Sequence, residues 1–283
     1  MTRFLLSTVV LTSLVVAQEQ APEKVVSGAF GIDFTTAYFF RGIQQENQGI
    51  ISQPWIELGY GLYEGGEEDT MRSLGLTFGL WNSLHDGPTG SGGGTGIWYE
   101  SDFYVSLTSA IGERLSVGTT YTTYHSPNGT FGTVQELAFS AKWDDREQLV
   151  PSLASGLQPS VVLAFETSGQ ADAGNHPGVY LQVGIEPSFT IGKLGEADIT
   201  LATPVTAGFS LKDYYEVGGD DSFFGFLDIG AAMSAPLSFL PSRMGPWTGE
   251  VGLHFILFGD NTEQINDGDA SELVLSFGLS TRF

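Results

Sequence analysis

The sequence predicts an all-β protein, a transmembrane, antiparallel, up-and-down β-barrel of twelve strands, with ten or fourteen strands as the alternatives. Segments of roughly ten residues or more alternate between apolar and small or polar side chains, as strands with one face in lipid do. The 283 residues include 38 glycines and 12% aromatics but only 16% charged residues, against about 25% charged in a typical soluble domain. After the first segment, no stretch is apolar for long enough to form a membrane-spanning helix.

The first segment has the features of an export signal. A lone positive charge at Arg3 precedes a short apolar run at residues 4–16, and small residues lie just before Gln18. This order is typical of a cleaved secretory signal peptide, because the apolar run is too short to span a membrane. We therefore expect a signal peptide over residues 1–17, a barrel over residues 18–283, and a location in the bacterial outer membrane.

Twelve alternating segments follow one another along the rest of the chain. In the clearest, residues 73–81, four apolar side chains alternate with serine, glycine and threonine. The starts are about 22 residues apart, whereas the short strands of a soluble sandwich show turn signals about every 8–12 residues. Longer strands are what a tilted crossing of a bilayer requires. The predicted starts are near Ser27, Ile50, Met71, Ile97, Arg114, Thr133, Pro159, Gly178, Ala197, Ser222, Trp247 and Ser271.

The connections indicate an orientation. An even strand count returns the chain to the periplasmic side on which it starts. The odd-numbered connections between strands therefore face outward, including residues 82–96 and 259–270. Inward turns of such barrels are short, as at residues 112–113 and 192–196. The inward connection at residues 144–158 is long, so it is either a periplasmic excursion or contains two further strands.

A motif in the first predicted strand resembles a known family. It reads Thr36-Ala37-Tyr38-Phe39-Phe40-Arg41-Gly42-Ile43-Gln44-Gln45, and the second strand carries Ser52-Gln53-Pro54-Trp55. These residues resemble the N-terminal signature of the TorF-like porin family, except for Gln44 where serine or threonine is common. The resemblance implies an outer-membrane barrel and, by analogy with the family's name, a channel. The terminal Phe283 also resembles the signal that outer-membrane barrels present to their assembly machinery, which we expect as a partner.

Strand parity assigns fourteen charged side chains to the barrel interior. Ten are acidic and four are basic, and rings of carboxylates favour cations. We therefore expect a porin-like passive channel for small solutes or ions with a weak preference for cations. The alternative role of these charges is to form ion pairs with one another inside the barrel. For Arg41, the expected partner is then Glu46 or Glu57. The assigned residues are Asp33, Arg41, Glu57, Glu100, Asp102, Glu136, Lys142, Glu166, Glu186, Asp198, Lys212, Asp228, Glu250 and Arg282.

Composition also excludes several classes of function. A net charge of −22 argues against nucleic acid as a partner. The chain has no cysteine, so it has no disulfide, thiolate metal site or cysteine nucleophile. The acidic loops around Asp213 and Asp260 lack the spacing of a calcium-binding loop and are interpreted as solvated surface. We expect no metal and no cofactor.

The histidines do not form an evident catalytic group. His85 and His176 are assigned to loops and His254 to the lumen, while His125 and Ser126 are adjacent and point to opposite faces of a strand. We therefore expect no enzymatic activity. A non-conducting structural or ligand-binding barrel is the main alternative, and an outer-membrane lipid hydrolase is less favoured. The expected partners are outer-membrane lipid and small solutes or cations, and the oligomeric state stays open.

Overall fold

The computed structural model describes residues 25–172, 174–241, 243 and 245–283. The predicted signal peptide at residues 1–17 lies outside the described residues. Strands β1 to β12 of the barrel are Val26–Thr35, Ile51–Glu64, Met71–His85, Trp98–Ile111, Leu115–His125, Val134–Trp143, Ser160–Ser168, Val179–Ile185 continuing as Ser188–Leu194, Ala197–Ala202 continuing as Val205–Lys212, Phe224–Pro236, Thr248–Phe258 and Ser271–Arg282.

The twelve strands form one closed antiparallel sheet. Each strand pairs with its neighbours in sequence, and β1 closes the ring by pairing with β12, with Asp33 opposite Gly278. The prediction of a twelve-stranded up-and-down barrel is therefore confirmed, and the predicted starts lie within about two residues of the observed ones. Closure provides hydrogen-bond partners for most backbone groups of the wall, which lipid cannot do. The second half of β8, Ser188–Leu194, pairs with a strand on one side only.

The alternation along each strand separates an apolar exterior from a polar interior. On β4, Phe103 is 46% and Leu107 42% exposed on the outside, whereas Asp102 and Tyr104 on the other face are 0% and 8% exposed. An exterior of this kind around a closed barrel is the surface that a bilayer covers. The protein is therefore a membrane barrel. In the described part of the chain, no helix is long and apolar enough to cross a membrane.

Strands β8 and β9 are each interrupted once, beside Pro187 and Pro204. Proline has no N–H to donate, so it breaks the ladder at that point. Beyond the interruption, residues 188–202 form a hairpin whose inner edge pairs with β10.

The long connection at residues 144–158 contains no strand and runs along the free edge of β8. The backbone N–H of Glu186 donates to the carbonyl of Leu157 at 2.7 Å. The N–H of Ser188 donates to the hydroxyl of Ser155 at 2.9 Å. Of the two alternatives for this connection, an excursion at the end of the barrel that carries the termini is therefore the correct one.

After Thr35 the chain leaves the wall and folds into the lumen, where the sequence predicts a continuing first strand. Short strands Tyr38–Phe40 and Ile43–Glu46 pair as a hairpin, here called the plug hairpin (residues 38–46). Its two turn residues, Arg41 and Gly42, have φ values of 50° and 83°, the positive values that a type I′ two-residue turn needs. Arg41 therefore lies at the tip of an inserted loop and not in the wall, which corrects the prediction.

The chain ends on the first strand. Phe283 donates its backbone N–H to the carbonyl of Gly28 at 2.9 Å and accepts the N–H of Gly28 at 3.0 Å. The aromatic ring is 57% exposed. The last residue thus completes the seam between β12 and β1 and leaves its ring accessible from outside the barrel.

Candidate functional site

The site is the lumen together with the plug hairpin that occupies it. The turn of this hairpin is held by a buried, two-pronged ion pair. Nη1 of Arg41 donates to Oε2 of Glu136 at 2.5 Å, and Nη2 donates to Oε1 at 2.7 Å. Both side chains are 3% exposed. Geometry of this kind is the most favourable for a guanidinium and a carboxylate out of water. Internal pairing of Arg41 is thus observed, but with Glu136 of β6 and not with Glu46 or Glu57.

Three tyrosines complete the surroundings of Arg41. The guanidinium carbon lies 4.0 Å from the ring centroid of Tyr180, which is cation–π contact. The guanidinium also donates to the hydroxyl of Tyr214 at 2.9 Å. The hydroxyl of Tyr215 donates to the backbone carbonyl of Arg41 at 2.9 Å. Both terminal nitrogens and the backbone carbonyl of Arg41 therefore bond side chains from the wall or from a loop next to it.

Aromatic rings fix the flanks of the plug hairpin to opposite sides of the barrel. Tyr38 packs against Trp81 of β3, with ring centroids 5.4 Å apart. Phe39 stacks on Phe258 of β11 at 5.2 Å. Phe40 meets Tyr124 of β5 at 5.1 Å. The hairpin thus spans the lumen from β3 and β5 to β11.

Two outer connections hold the plug hairpin from above. Asn266 follows the short helix Asp260–Ile265. Its side-chain oxygen accepts the N–H of Gln44, and its amide donates to the carbonyl of Gly42, both at 2.8 Å. On the other side, the Glu46 carboxylate accepts the N–H and the hydroxyl of Thr89, each at 2.9 Å. These contacts join the plug to both neighbouring loops.

Burial along the lumen differs between the two ends of the barrel. Lumen-facing residues near the end that carries the termini, such as Thr108, Ser116 and Ser140, are only half-buried. Around the plug hairpin, Tyr38 and Tyr180 are 0% exposed. The side chains around the plug hairpin are thus more enclosed than these three.

The acidic residues assigned to the lumen mostly lie there. Seven of the ten predicted carboxylates belong to residues that are less than 9% exposed, namely Glu100, Asp102, Glu136, Glu166, Glu186, Asp228 and Glu250. Asp33 and Glu57 also point inward, where Asp33 accepts the indole N–H of Trp55 at 3.0 Å and Glu57 accepts the hydroxyl of Tyr104 at 2.6 Å.

Two predicted lumen charges are misplaced. The side chain of Asp198 is 57% exposed on the β8–β9 hairpin and lies 3.5 Å from Lys193. Lys212 is 67% exposed at the opposite end of the barrel, 3.3 Å from Asp213. Both residues lie at strand ends beyond the enclosed part of the lumen, where parity no longer determines which side chain is inside.

Two further basic side chains contact acidic residues assigned to the lumen. Lys142 is 3.3 Å from Glu186, and the imidazole of His254, which lies in the lumen as predicted, is 3.0 Å from Asp228. Arg282 is half-buried at the end with the termini.

A buried hydrogen-bonded chain links β3 to the plug hairpin. Nε2 of His85 is 2.7 Å from the hydroxyl of Ser83, and Nδ1 is 2.7 Å from the hydroxyl of Thr89. Because Thr89 donates to Glu46, its oxygen accepts from Nδ1, which leaves Nε2 to accept from Ser83. His85 is the last residue of β3 and not a loop residue, which corrects the prediction. By contrast, Ser126 bonds the carbonyl of Tyr99 and does not meet the adjacent histidine.

One cluster in the outer loops has groups that can ligate metal. Ligand atoms of His176, Asp213 and Glu216 lie within 4.8 Å of one another. The backbone N–H groups of Asn175 and His176 donate to Glu216 and hold the pKa of this carboxyl below its ordinary value. Asp213 already contacts Lys212. The sequence pattern around Asp213 indicates only solvated surface and does not place His176 beside it.

Comparisons with known proteins give no family. No protein-family model matches the sequence, and no curated protein matches it. Similar solved structures include a bacterial polysaccharide outer membrane secretin, at 10% identity and a TM-score of 0.48 over 92% of this chain and 98% of that one. LpxR from Salmonella typhimurium has 8% sequence identity and a TM-score of 0.46, over 90% of this chain and 99% of that one. The NanC porin has 12% sequence identity and a TM-score of 0.40, over 90% of this chain and 98% of that one.

Proposed function

We propose that the protein is an outer-membrane channel for the passive diffusion of small solutes and ions, with a preference for cations. In this conformation the plug hairpin closes the channel. The observation that carries the proposal is a polar, carboxylate-lined lumen into which a single loop is inserted. Membership of the TorF-like porin family rests on the motif at residues 36–45 and stays a prediction.

The charge of the enclosed lumen supports the preference for cations. Carboxylates outnumber the basic groups inside, and Arg41 is fully engaged by Glu136. A ring of unbalanced carboxylates attracts cations and repels anions. Because twelve strands enclose less space than the 16–18 of the general porins, these charges lie close to any ion that passes.

The mode of closure supports a channel over a permanently filled barrel. The plug hairpin contributes no hydrogen bonds to the barrel ladder, so it can leave without unpairing a wall strand. Its contacts with the wall are made by side chains and by the two loops above it.

Planar-bilayer recording in a KCl gradient tests the proposal. We expect conductance whose reversal potential has the sign of cation selectivity, larger in the Arg41→Gln variant than in the wild type. A potential of anion sign, or no conductance from either protein, would overturn it. Swelling of liposomes in sugars of graded size separates the channel from a non-conducting structural or ligand-binding barrel, because swelling requires only that a hole exists.

The Ser83–His85 pair is the observation that favours a hydrolase as a second candidate. Its hydrogen-bond directions are those of an activated serine. Both residues are 0% exposed beside the plug hairpin and face away from lipid, so a lipid substrate cannot reach them in this conformation. Release of fatty acid from phospholipid vesicles, with Ser83→Ala as the control variant, tests this candidate separately from conduction.

A further inference from the structure

The wall beside the plug hairpin carries two buried carboxyl groups that pair with no basic side chain among the described residues. Glu100 and Asp102 lie two apart on β4 and therefore on the same, inward face. They are 4% and 0% exposed. None of the ion pairs among the described residues involves either of them. The guanidinium of Arg41, at the tip of the plug hairpin, is committed to Glu136 through both of its terminal nitrogens.

The two carboxylates differ in their hydrogen bonds. Glu100 accepts the hydroxyl of Tyr38, from the plug hairpin, at 2.9 Å. For Asp102, the groups within reach of the carboxylate are the carboxyl of Glu100 and the backbone N–H of His125, and neither makes a well-formed hydrogen bond with it. A buried carboxylate with no partner is among the most costly groups in a folded protein. Such a group either takes up a proton or has its charge compensated by a bound cation.

The surroundings indicate what can compensate it. Across the ladder, Asp102 lies opposite Trp81 on β3 and Tyr124 on β5, and both aromatic rings also contact the plug hairpin. The available donors are thus hard oxygen atoms, two carboxylates and a phenol, beside aromatic rings. Hard oxygen ligands with two negative charges suit a divalent cation of the calcium type.

We infer that Glu100 and Asp102 form a binding site for one divalent cation beside the plug hairpin. This inference deepens the proposed function by naming an ion class and a position inside the lumen. A cation there balances the two carboxylates that Arg41 leaves unneutralised. Through the Tyr38 hydroxyl on Glu100, the site touches the plug hairpin directly.

Terbium luminescence tests the site, because Tb³⁺ takes calcium-type oxygen sites and emits when a nearby tryptophan is excited. The full-length barrel in detergent, stripped with a chelator, is titrated with Tb³⁺ and then with Ca²⁺. We expect saturable emission that Ca²⁺ competes away. In Asp102→Asn and in Glu100→Gln, we expect an affinity at least about tenfold lower, because even the loss of a group that only orients a metal ligand costs about that much.

Two further variants make the result decisive. Glu67→Gln removes the same charge from an exposed turn, and we expect it to bind Tb³⁺ like the wild type. Trp81→Phe should keep Ca²⁺ binding by calorimetry and lose most of the sensitised emission. Absence of saturable binding, or binding that Asp102→Asn and Glu100→Gln leave unchanged while folding normally, would overturn the site. Because binding is measured without conduction, that result leaves the channel to be judged by its reversal potential alone.

Discussion

Arg41 is the residue on which closure of the lumen depends most. Replacing it by methionine leaves Glu136 as a buried, unpaired carboxylate. Removal of one partner from a buried pair costs about 3–5 kcal/mol, so we expect Arg41→Met to lower the free energy of unfolding by that amount. Urea denaturation in detergent, followed by tryptophan fluorescence, measures it.

The double variant is the matched control. In Arg41→Met/Glu136→Gln no charge is left unpaired, so most of the lost stability should return. An Arg41→Met protein that unfolds at the wild-type urea concentration would show that the pair contributes nothing to the fold.

Glycine on the inner wall makes room for aromatic side chains. At Gly79 of β3, a methyl group would lie 2.0 Å from the ring of Tyr104, whereas at Gly75 on the same face the nearest atom would be 3.6 Å away. Overpacking of this kind costs about 1–3 kcal/mol. We expect Gly79→Ala to destabilise the barrel by that amount and Gly75→Ala to change stability by less than about 0.5 kcal/mol. Equal urea midpoints for the two variants would contradict this explanation.

Residue faces could be predicted from the sequence, but residue partners could not. Alternation along β4 is sufficient to place Glu100 and Asp102 inside, because successive side chains point to opposite faces of a strand. The partner of Arg41 lies 95 positions away in sequence, and no local pattern encodes such a contact. The prediction therefore assigns Arg41 correctly to the interior and incorrectly to Glu46 or Glu57.

The plug hairpin is the element that the sequence does not predict. Residues 38–46 are apolar and aromatic, as a wall strand is, so the pattern predicts a first strand that continues through them. The one local signal of a turn is Gly42, because a two-residue hairpin turn favours glycine at a positive φ. An inserted loop and a strand both bury apolar side chains, and only the closed pairing of β1 with β2 and β12 distinguishes them.

Gly42 tests the hairpin as an element. Its φ of 83° disfavours any side chain, and a methyl group would also lie 2.9 Å from Phe226. We expect Gly42→Ala to loosen the plug hairpin and to expose the peptide bond after Arg41 to trypsin, detected by mass spectrometry. Gly112→Ala, at a φ of 57° with no atom within 4 Å of the added methyl group, is the control and should leave that bond protected. Protection of the bond in Gly42→Ala would contradict the assignment of the turn.

At the scale of the whole molecule, the lipid-facing belt determines stability. Phe103 is 46% exposed near the middle of β4, and arginine at the midplane of a barrel exterior costs about 2–4 kcal/mol. We expect Phe103→Arg to reduce stability by that amount in phospholipid vesicles. Thr108→Arg, at a half-buried position that faces the lumen, should have a much smaller effect. A reversed order would mean that the two faces of β4 are interchanged.

The barrel as a whole is the most predictable level of the structure. A chain surrounded by lipid must close its hydrogen-bond ladder, and few architectures do so. The two-residue alternation and the segment lengths are therefore sufficient to predict a barrel of twelve strands. What the lumen contains follows from packing among distant segments, which is why the wall can be predicted from local patterns and the plug cannot.

The central claim is that one inserted hairpin closes an otherwise continuous lumen. Thr35 pairs directly with Ile51, so a short glycine–serine linker can replace residues 37–46 without disturbing β1 or β2. The control carries the same linker in place of residues 91–96, an exposed loop tip. The measurement is single-channel conductance in planar bilayers. We predict a severalfold larger, cation-selective conductance for the plug replacement and wild-type conductance for the control, whereas equal conductance in all three proteins would contradict the claim.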